Sequence, residues 1–168
     1  MRDSDAADLY KHIKTKAVAR WTFNLPHPYP KDKAMQWIRR TQRTWRLKKQ
    51  FSFGIYSLET GNLIGGVELA PIDWKNKNAE LGYWLAEKFW GRGLTTEAVR
   101  LIVRFGFQQL KLHRIYAQAY EPNRGSIRVL EKCGFKKEGC QRQSLYRFKQ
   151  WHNSLTFGLL RSEIKPLA

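Results

Sequence analysis

The sequence predicts an α+β fold, a mixed sheet with helices packed on it. Three observations lead there. Helical periodicity comes first, then two strand patterns joined by a short turn, then the order strand–helix–strand–helix–strand–strand. A helical connection separates the strand patterns at 78–85 and 114–120, which makes those two parallel neighbours. At 168 residues with 42% hydrophobic content, the chain is one domain, 1–168, with enough apolar surface for a real core.

Asp3 to His12 reads as a short helix with Asp3 or Ser4 as N-cap. Trp21 to Pro30 is Pro-rich and excludes both helix and central strand. Asp32 to Lys49 reads as a helix with an inner stripe of Ala34, Trp37, Ile38, Thr41 and Trp45. Arg39, Arg43 and Arg46 mark another of its faces, with Arg40 and Lys48 nearby. Phe51–Leu58 and Leu63–Ala70 read as strands joined by the turn 59–62, and Asn78–Leu85 as the next strand. The helix from Thr95 to Leu110 carries Ala98, Leu101, Ile102 and Phe105 at i, i+3, i+4 and i+7. Arg114–Tyr120 is a strand, and Asn123–Cys133 a helix stopped by Gly134. Phe135–Gln143 and Trp151–Leu160 are the final strands, joined through 146–149.

The charge is unusual: 31 basic against 14 acidic residues give +17. A field of that sign favours a polyanionic partner, such as RNA, a ribosome or an acidic protein surface, and repels polyamines. A solvated basic surface has equal weight. No apolar run approaches a membrane span and no signal peptide opens the chain, so the expected location is cytoplasmic. Cys133 and Cys140 are expected to be reduced and structural, and no ligand spacing suggests a metal.

The most informative segment is the junction around 81–98. A β-leaning stretch runs into Gly91-x-Gly93, and the turn opens directly into a helix. Several backbone N–H groups and the positive end of a helix then face one small volume, which suits a diphosphate. The third glycine and the distal acidic residue of a dinucleotide fingerprint are missing, as is the Gly-Lys-Ser/Thr of a Walker loop.

Lys88-x-x-Gly91-x-Gly93, Tyr83-Trp84-Leu85 and Thr96-Glu-Ala98 resemble the acetyl-coenzyme A core of the GNAT superfamily of N-acetyltransferases. Phe105-Gly-Phe107 and Leu112-His-Arg-Ile115 resemble that core as well, while the segments 121–126 and 129–135, with Glu138-Gly139, are similar to the branch holding the Rim-type ribosomal-protein N-terminal acetyltransferases. The resemblance covers about 51–163 well. It implies a mostly antiparallel sheet with helices on both faces and acetyl-coenzyme A at a splayed parallel strand pair. Relatives begin with a strand that this chain lacks room for before its first helix, so the first strand is expected to be truncated or to lie upstream.

The resemblance also implies direct acetyl transfer from a thioester to an amine. It sets backbone groups of Tyr83, Trp84 and Leu85 along the pantetheine arm. Lys88, Gly91, Arg92, Gly93, Leu94 and Thr95 fall around the diphosphate, although Arg92 equally suits a solvent-facing role. Asn123 is an evident N-cap, and the resemblance adds a cofactor contact, with Ser126 near the sulfur as an acid. Lys132 and Arg128 are within the reading for the adenosine phosphate. Glu80 and Glu68 are the candidate bases, since both sit on strands that border the expected cleft, with a base acting through water as a third option. His152 is more often structural, and Tyr146 suits either an acid or packing. Trp21, Asn24 and Tyr29 form an expected wall of the acceptor site.

The acceptor reads as a protein N-terminus. An α-amine is already about one-tenth neutral at pH 7, whereas a lysine amine is neutral in roughly one molecule in a few thousand. A small amine, or an idle fold that binds RNA through its basic helix, are the alternatives. A homodimer through an exposed sheet edge and the late aromatics Trp151 and Phe157 is an open expectation.

Overall fold

The computed structural model describes residues 1–23 and 25–164. Its strands are β1 (Phe51–Tyr56), β2 (Leu63–Asp73), β3 (Asn78–Leu85), β4 (Arg114–Tyr120), β5 (Lys136–Arg147) and β6 (Gln150–Leu160). They form one sheet in the order β1–β2–β3–β4–β6–β5. All neighbours are antiparallel except β3 and β4. The helices are α1 (Ala6–Ile13), α2 (Lys16–Arg20), α3 (Asp32–Arg46), α4 (Leu94–Gln108) and α5 (Arg124–Lys132).

Alternation along the strands divides the apolar side chains between two faces. On one face Leu69, Leu81, Ile115 and Phe157 pack with Val99, Ile102 and Phe107 of α4 and Leu130 of α5. On the other, Leu63 packs with Leu9 and Ile13 of α1, Val18 of α2, and Ala34 and Ile38 of α3. Helices therefore cover both faces. Among the described residues the chain before β1 is helix and loop, and β1 forms one edge of the sheet.

Several expectations shift. The first helix begins as a 3-10 turn over Asp3–Asp5, and neither Asp3 nor Ser4 caps it. The five-residue α2 has no counterpart in the sequence reading, being too short to show a period; its one local signal is Thr15, whose hydroxyl accepts the Val18 N–H at 3.4 Å. Helix α3 stops at Arg46, and Lys48 has φ 54°. Ala34, Ile38 and Thr41 of its stripe are buried, but Trp45 is 37% exposed and packs at the β1 edge against Phe51 and Phe53. The buried arc of α4 is Val99, Ile102, Val103, Gly106 and Phe107, while Leu101 is 58% exposed. Contact with the sheet, rather than the largest residues, centres that arc.

Strand β1 ends two residues early, and β2 continues past Pro71 through a register shift between Leu69 and Ile72, where proline has no N–H to offer the ladder. Phe148 and Lys149, both left-handed, make the β5–β6 turn. Phe157 is core, whereas Trp151 is 61% exposed. Both cysteines are free; Cys140 is exposed on β5 and so has no structural packing role. Among the described residues no helix is long and apolar enough to cross a membrane.

Candidate active site

The parallel ladder between β3 and β4 is short: Asn78 pairs with Arg114, Ala79 with Ile115 and Glu80 with Tyr116. Beyond Glu80, β3 stays with β2 while β4 stays with β6. The two strands part, and a cavity of ≈ 610 Å³ occupies the gap. Residues of even and odd number on β3 reach it from opposite faces of the sheet. Glu80 and Trp84 line it from one face, Leu81 and Tyr83 from the other.

At one end of the gap stands the Gly-x-Gly turn. Gly91 and Gly93 have φ +76° and +81°, the left-handed region that side chains resist. Gly93 is the N-cap residue of α4, and no side chain caps the helix. Its first N–H groups are thus left for a ligand. The indole N–H of Trp90 donates to the Leu85 carbonyl at 2.7 Å and pins the turn to the end of β3. Lys88 and Arg92 sit over the Phe89 ring, 4.8 and 5.6 Å from its centre. Leu85 buries its side chain, so only its backbone is available to the gap. Leu94 and Thr95 begin α4, half-buried. Lys132 ends α5, exposed, and its carbonyl accepts from Arg100.

On the α5 side of the gap the Asn123 side chain accepts the Ser126 N–H at 3.1 Å. That is the capping role, and it commits Oδ1 while leaving the amide nitrogen in the cleft. The Ser126 hydroxyl lies 2.7 Å from the Tyr83 hydroxyl. Burial pushes the Tyr83 phenol well above its ordinary value, with the Ser126 hydrogen bond opposing.

The carboxylates lie on the other face. Glu68 Oε2 accepts from Gln50 Nε2 at 2.7 Å and from Ser52 Oγ at 2.8 Å. Both donors are buried, and Gln50 accepts in turn from Thr44 Oγ1 at 3.3 Å. Glu80 is half-buried with no such donors among the described residues; burial raises its carboxyl above the usual range, and the Glu68 charge raises it further. Two neighbouring carboxyls thus differ in environment, the arrangement that separates an acid–base group from a fixed one.

Trp21 and Tyr29 line the cavity; Asn24 lies outside the described residues. The Arg147 guanidinium donates to the carbonyls of Ala19 and Leu25, tying the β5–β6 hairpin to this loop. His152 packs edge-on against Tyr120, and Tyr146 packs at a tilt against Trp151; neither lines the cavity. Of the predicted residues, Glu68, Glu80, Tyr83, Trp84, Asn123, Ser126, Trp21 and Tyr29 meet in one cavity, while Leu85, the residues from Lys88 to Thr95 and Lys132 stand outside it.

Sequence reasoning missed Gln50 and Ser52, which hold Glu68 from behind, and the cavity-lining α3 residues Lys33, Gln36, Trp37 and Arg40. Ser52 had a usable signal, because it pairs with Glu68 across the β1–β2 hairpin. The α3 residues had none.

A family model described as an acetyltransferase (GNAT) domain matches residues 1–136. "Probable N-acetyltransferase YjcK" of Bacillus subtilis (strain 168) is 40% identical over 126 residues, 73% of this chain and 70% of that protein. "Putative ribosomal N-acetyltransferase YdaF" of the same organism is 32% identical over 148 residues, 87% of this chain and 79% of that protein. A ribosomal-protein-S5-alanine acetyltransferase from Vibrio fischeri has the same fold, with TM-score 0.88 and 24% identity over 99% of this chain and 93% of that one. So does a spermidine N-acetyltransferase from Vibrio cholerae in complex with CoA and spermine, with TM-score 0.84 and 20% identity over 97% and 94%.

Proposed function

Because the chain belongs to the GNAT acetyltransferase family and is an N-acetyltransferase, we propose that its cleft carries acetyl from acetyl-coenzyme A to the N-terminal α-amine of a protein. The observation behind this reading is that a carboxyl of raised proton affinity, Glu80, and a protonated hydroxyl pair, Tyr83–Ser126, open into one gap from opposite faces.

The diphosphate binds the turn from Lys88 to Thr95, where α4 amides, the helix dipole and the Lys88 and Arg92 charges meet it. The pantetheine arm runs beside the unpaired edge of β3 at Tyr83–Leu85. Asn123 offers its amide nitrogen to that arm, and Lys132 meets the adenosine phosphate. The amine nitrogen attacks the thioester carbonyl; a C–N bond forms as the C–S bond breaks. Glu80 takes the amine proton, directly or through water, while Glu68 stays bound to Gln50 and Ser52. The leaving thiolate takes a proton from Ser126, relayed from Tyr83.

An α-amine suits this machinery because one moderately basic carboxyl removes its proton at little cost. Trp21, Tyr29 and Trp84 wall the acceptor. The ribosomal assignment in YdaF's name supports a ribosomal protein as acceptor, and the +17 charge supports a partner that is acidic or bound to RNA. The same charge disfavours polyamines, although the spermidine enzyme shares the fold. The reading sets the enzyme in the cytoplasm, where Cys133 and Cys140 stay reduced.

The test is thiol release from acetyl-coenzyme A against short peptides beginning with Ser or Ala, their N-blocked forms and a panel of small amines. Turnover confined to free N-termini upholds the reading. Turnover confined to small amines overturns it.

A further inference from the structure

The cavity has walls of opposite charge. Glu68 and Glu80 stand on the sheet, and Lys33 and Arg40 enter from α3. These cations are not spent inside the protein. Arg39, one residue before Arg40, pairs with Asp3 at 3.2 Å. Asp32, one residue before Lys33, is engaged by the Gln36 side chain at 2.7 Å. Among the described residues Lys33 and Arg40 make no ion pair. A cation near a carboxylate-bearing cleft would ordinarily be drawn to it, yet Glu68 is satisfied by Gln50 and Ser52 instead. The cleft therefore sorts charge: it keeps a negative pole at the sheet and an unspent positive pole at the rim.

We infer that the acceptor is itself dipolar, with its amine at Glu80 and an anionic group on Lys33 and Arg40. For a protein acceptor that group is an Asp or Glu side chain within the first few residues after the reacting amine. The inference rests on the α-amine reading and narrows it to acidic N-termini. It also separates the two sources of positive field. The global +17 attracts any polyanion and falls off with salt. Lys33 and Arg40 add a local preference that depends on where the acidic residue sits.

The magnitude follows from the exposure of both cations. An exposed ion pair reaches about 1 kcal/mol at best, a factor of about five. The two together give an acidic peptide an advantage in kcat/KM of up to about 25-fold, carried mainly by KM.

The experiment measures thiol release with equal-length peptides that differ only at positions two and three: both Glu, both Ala or both Lys. Small amines form a parallel arm, zwitterionic against dicationic. The order Glu over Ala over Lys is expected. Arg40→Ala and Lys33→Ala each cut the Glu advantage about fivefold, whereas Arg39→Ala leaves the order intact. Arg40→Glu moves the preference toward Lys, a reversal that loss of folding does not produce. Equal rates across the peptides, or an order unaffected by Arg40→Glu, overturn the inference while sparing the α-amine reading. Silence on all peptides with turnover of small amines sinks that reading; the inference then stands or falls on whether zwitterionic amines outpace dicationic ones.

Discussion

The hydroxyl of Tyr83 on β3 lies 2.7 Å from the hydroxyl of Ser126 on α5 and 3.2 Å from the Ser126 carbonyl oxygen. This contact spans the gap where the parallel pairing has ended. It joins the edge of the widened sheet to the helix that Asn123 caps. A phenol held above its ordinary range keeps its proton throughout neutral pH, so the pair can give a proton to a leaving group but cannot serve as a base there.

Replacing Tyr83 by Phe should lower kcat by about 100-fold, the low end for general acid catalysis, with the KM for acetyl-coenzyme A nearly unchanged. Ser126→Ala should do the same, and the double variant little worse, because the two act as one relay. Steady-state rates on the best peptide check this. Additive losses would argue for two separate roles.

Glu80 gives a prediction with two signs. Burial, then the Glu68 charge, raises its carboxyl. The folded state therefore holds this proton more tightly than the unfolded chain does. Stability falls as pH rises from the ordinary carboxylate range through the raised value. Glu80→Gln should raise Tm at pH 7, with no gain below about pH 4. It should also lower kcat/KM by about 100-fold and erase the ascending limb of the pH profile. A variant that is both less active and less stable at pH 7 would count against this account.

Gly91→Ala and Gly93→Ala test the proposal that this turn binds the diphosphate. An added Cβ meets nothing within 4 Å at either position, so no clash arises. The cost is left-handed backbone, about 1 kcal/mol each. The KM for acetyl-coenzyme A should rise in both, while the peptide KM holds. Melting curves and two-substrate kinetics separate the effects.

Arg147 fastens α2 and the segment that follows it through the carbonyls of Ala19 and Leu25. Arg147→Ala should cost about 1.5–3 kcal/mol, the range for a hydrogen bond to a charged group. It should raise the acceptor KM and leave acetyl-coenzyme A binding alone. Hydrogen exchange over the loop from Trp21 to Tyr29 should quicken. Unchanged exchange would place the loop's order elsewhere.

How much of this was legible depends on range. Strand β3 and strand β4 were read to the residue, since turns and alternation bound them on both sides. The Gly-x-Gly turn was readable because positive φ selects glycine locally. Leu101 was misread: its spacing is helical, but only contact with the sheet decides which arc of α4 is buried. The N-cap of α5 was visible in Asn123, whereas the partner of the Ser126 hydroxyl, 43 residues away in sequence, was not.

The sequence alone determined the order of the strands and of the longer helices, the parallel pair and the Gly-x-Gly turn before α4. Each of these rests on spacing within a few residues or on the handedness of one crossover. Only the tertiary structure decided which carboxyl is tied and which is loose. Glu68 and Glu80 look equivalent as strand residues, and their difference comes from Ser52 on the neighbouring β1 and Gln50 just before it. It likewise decided that Arg39 is spent on Asp3 while Arg40 faces the cleft. Proton affinity and free charge belong to three-dimensional neighbours, and a linear chain does not name its neighbours.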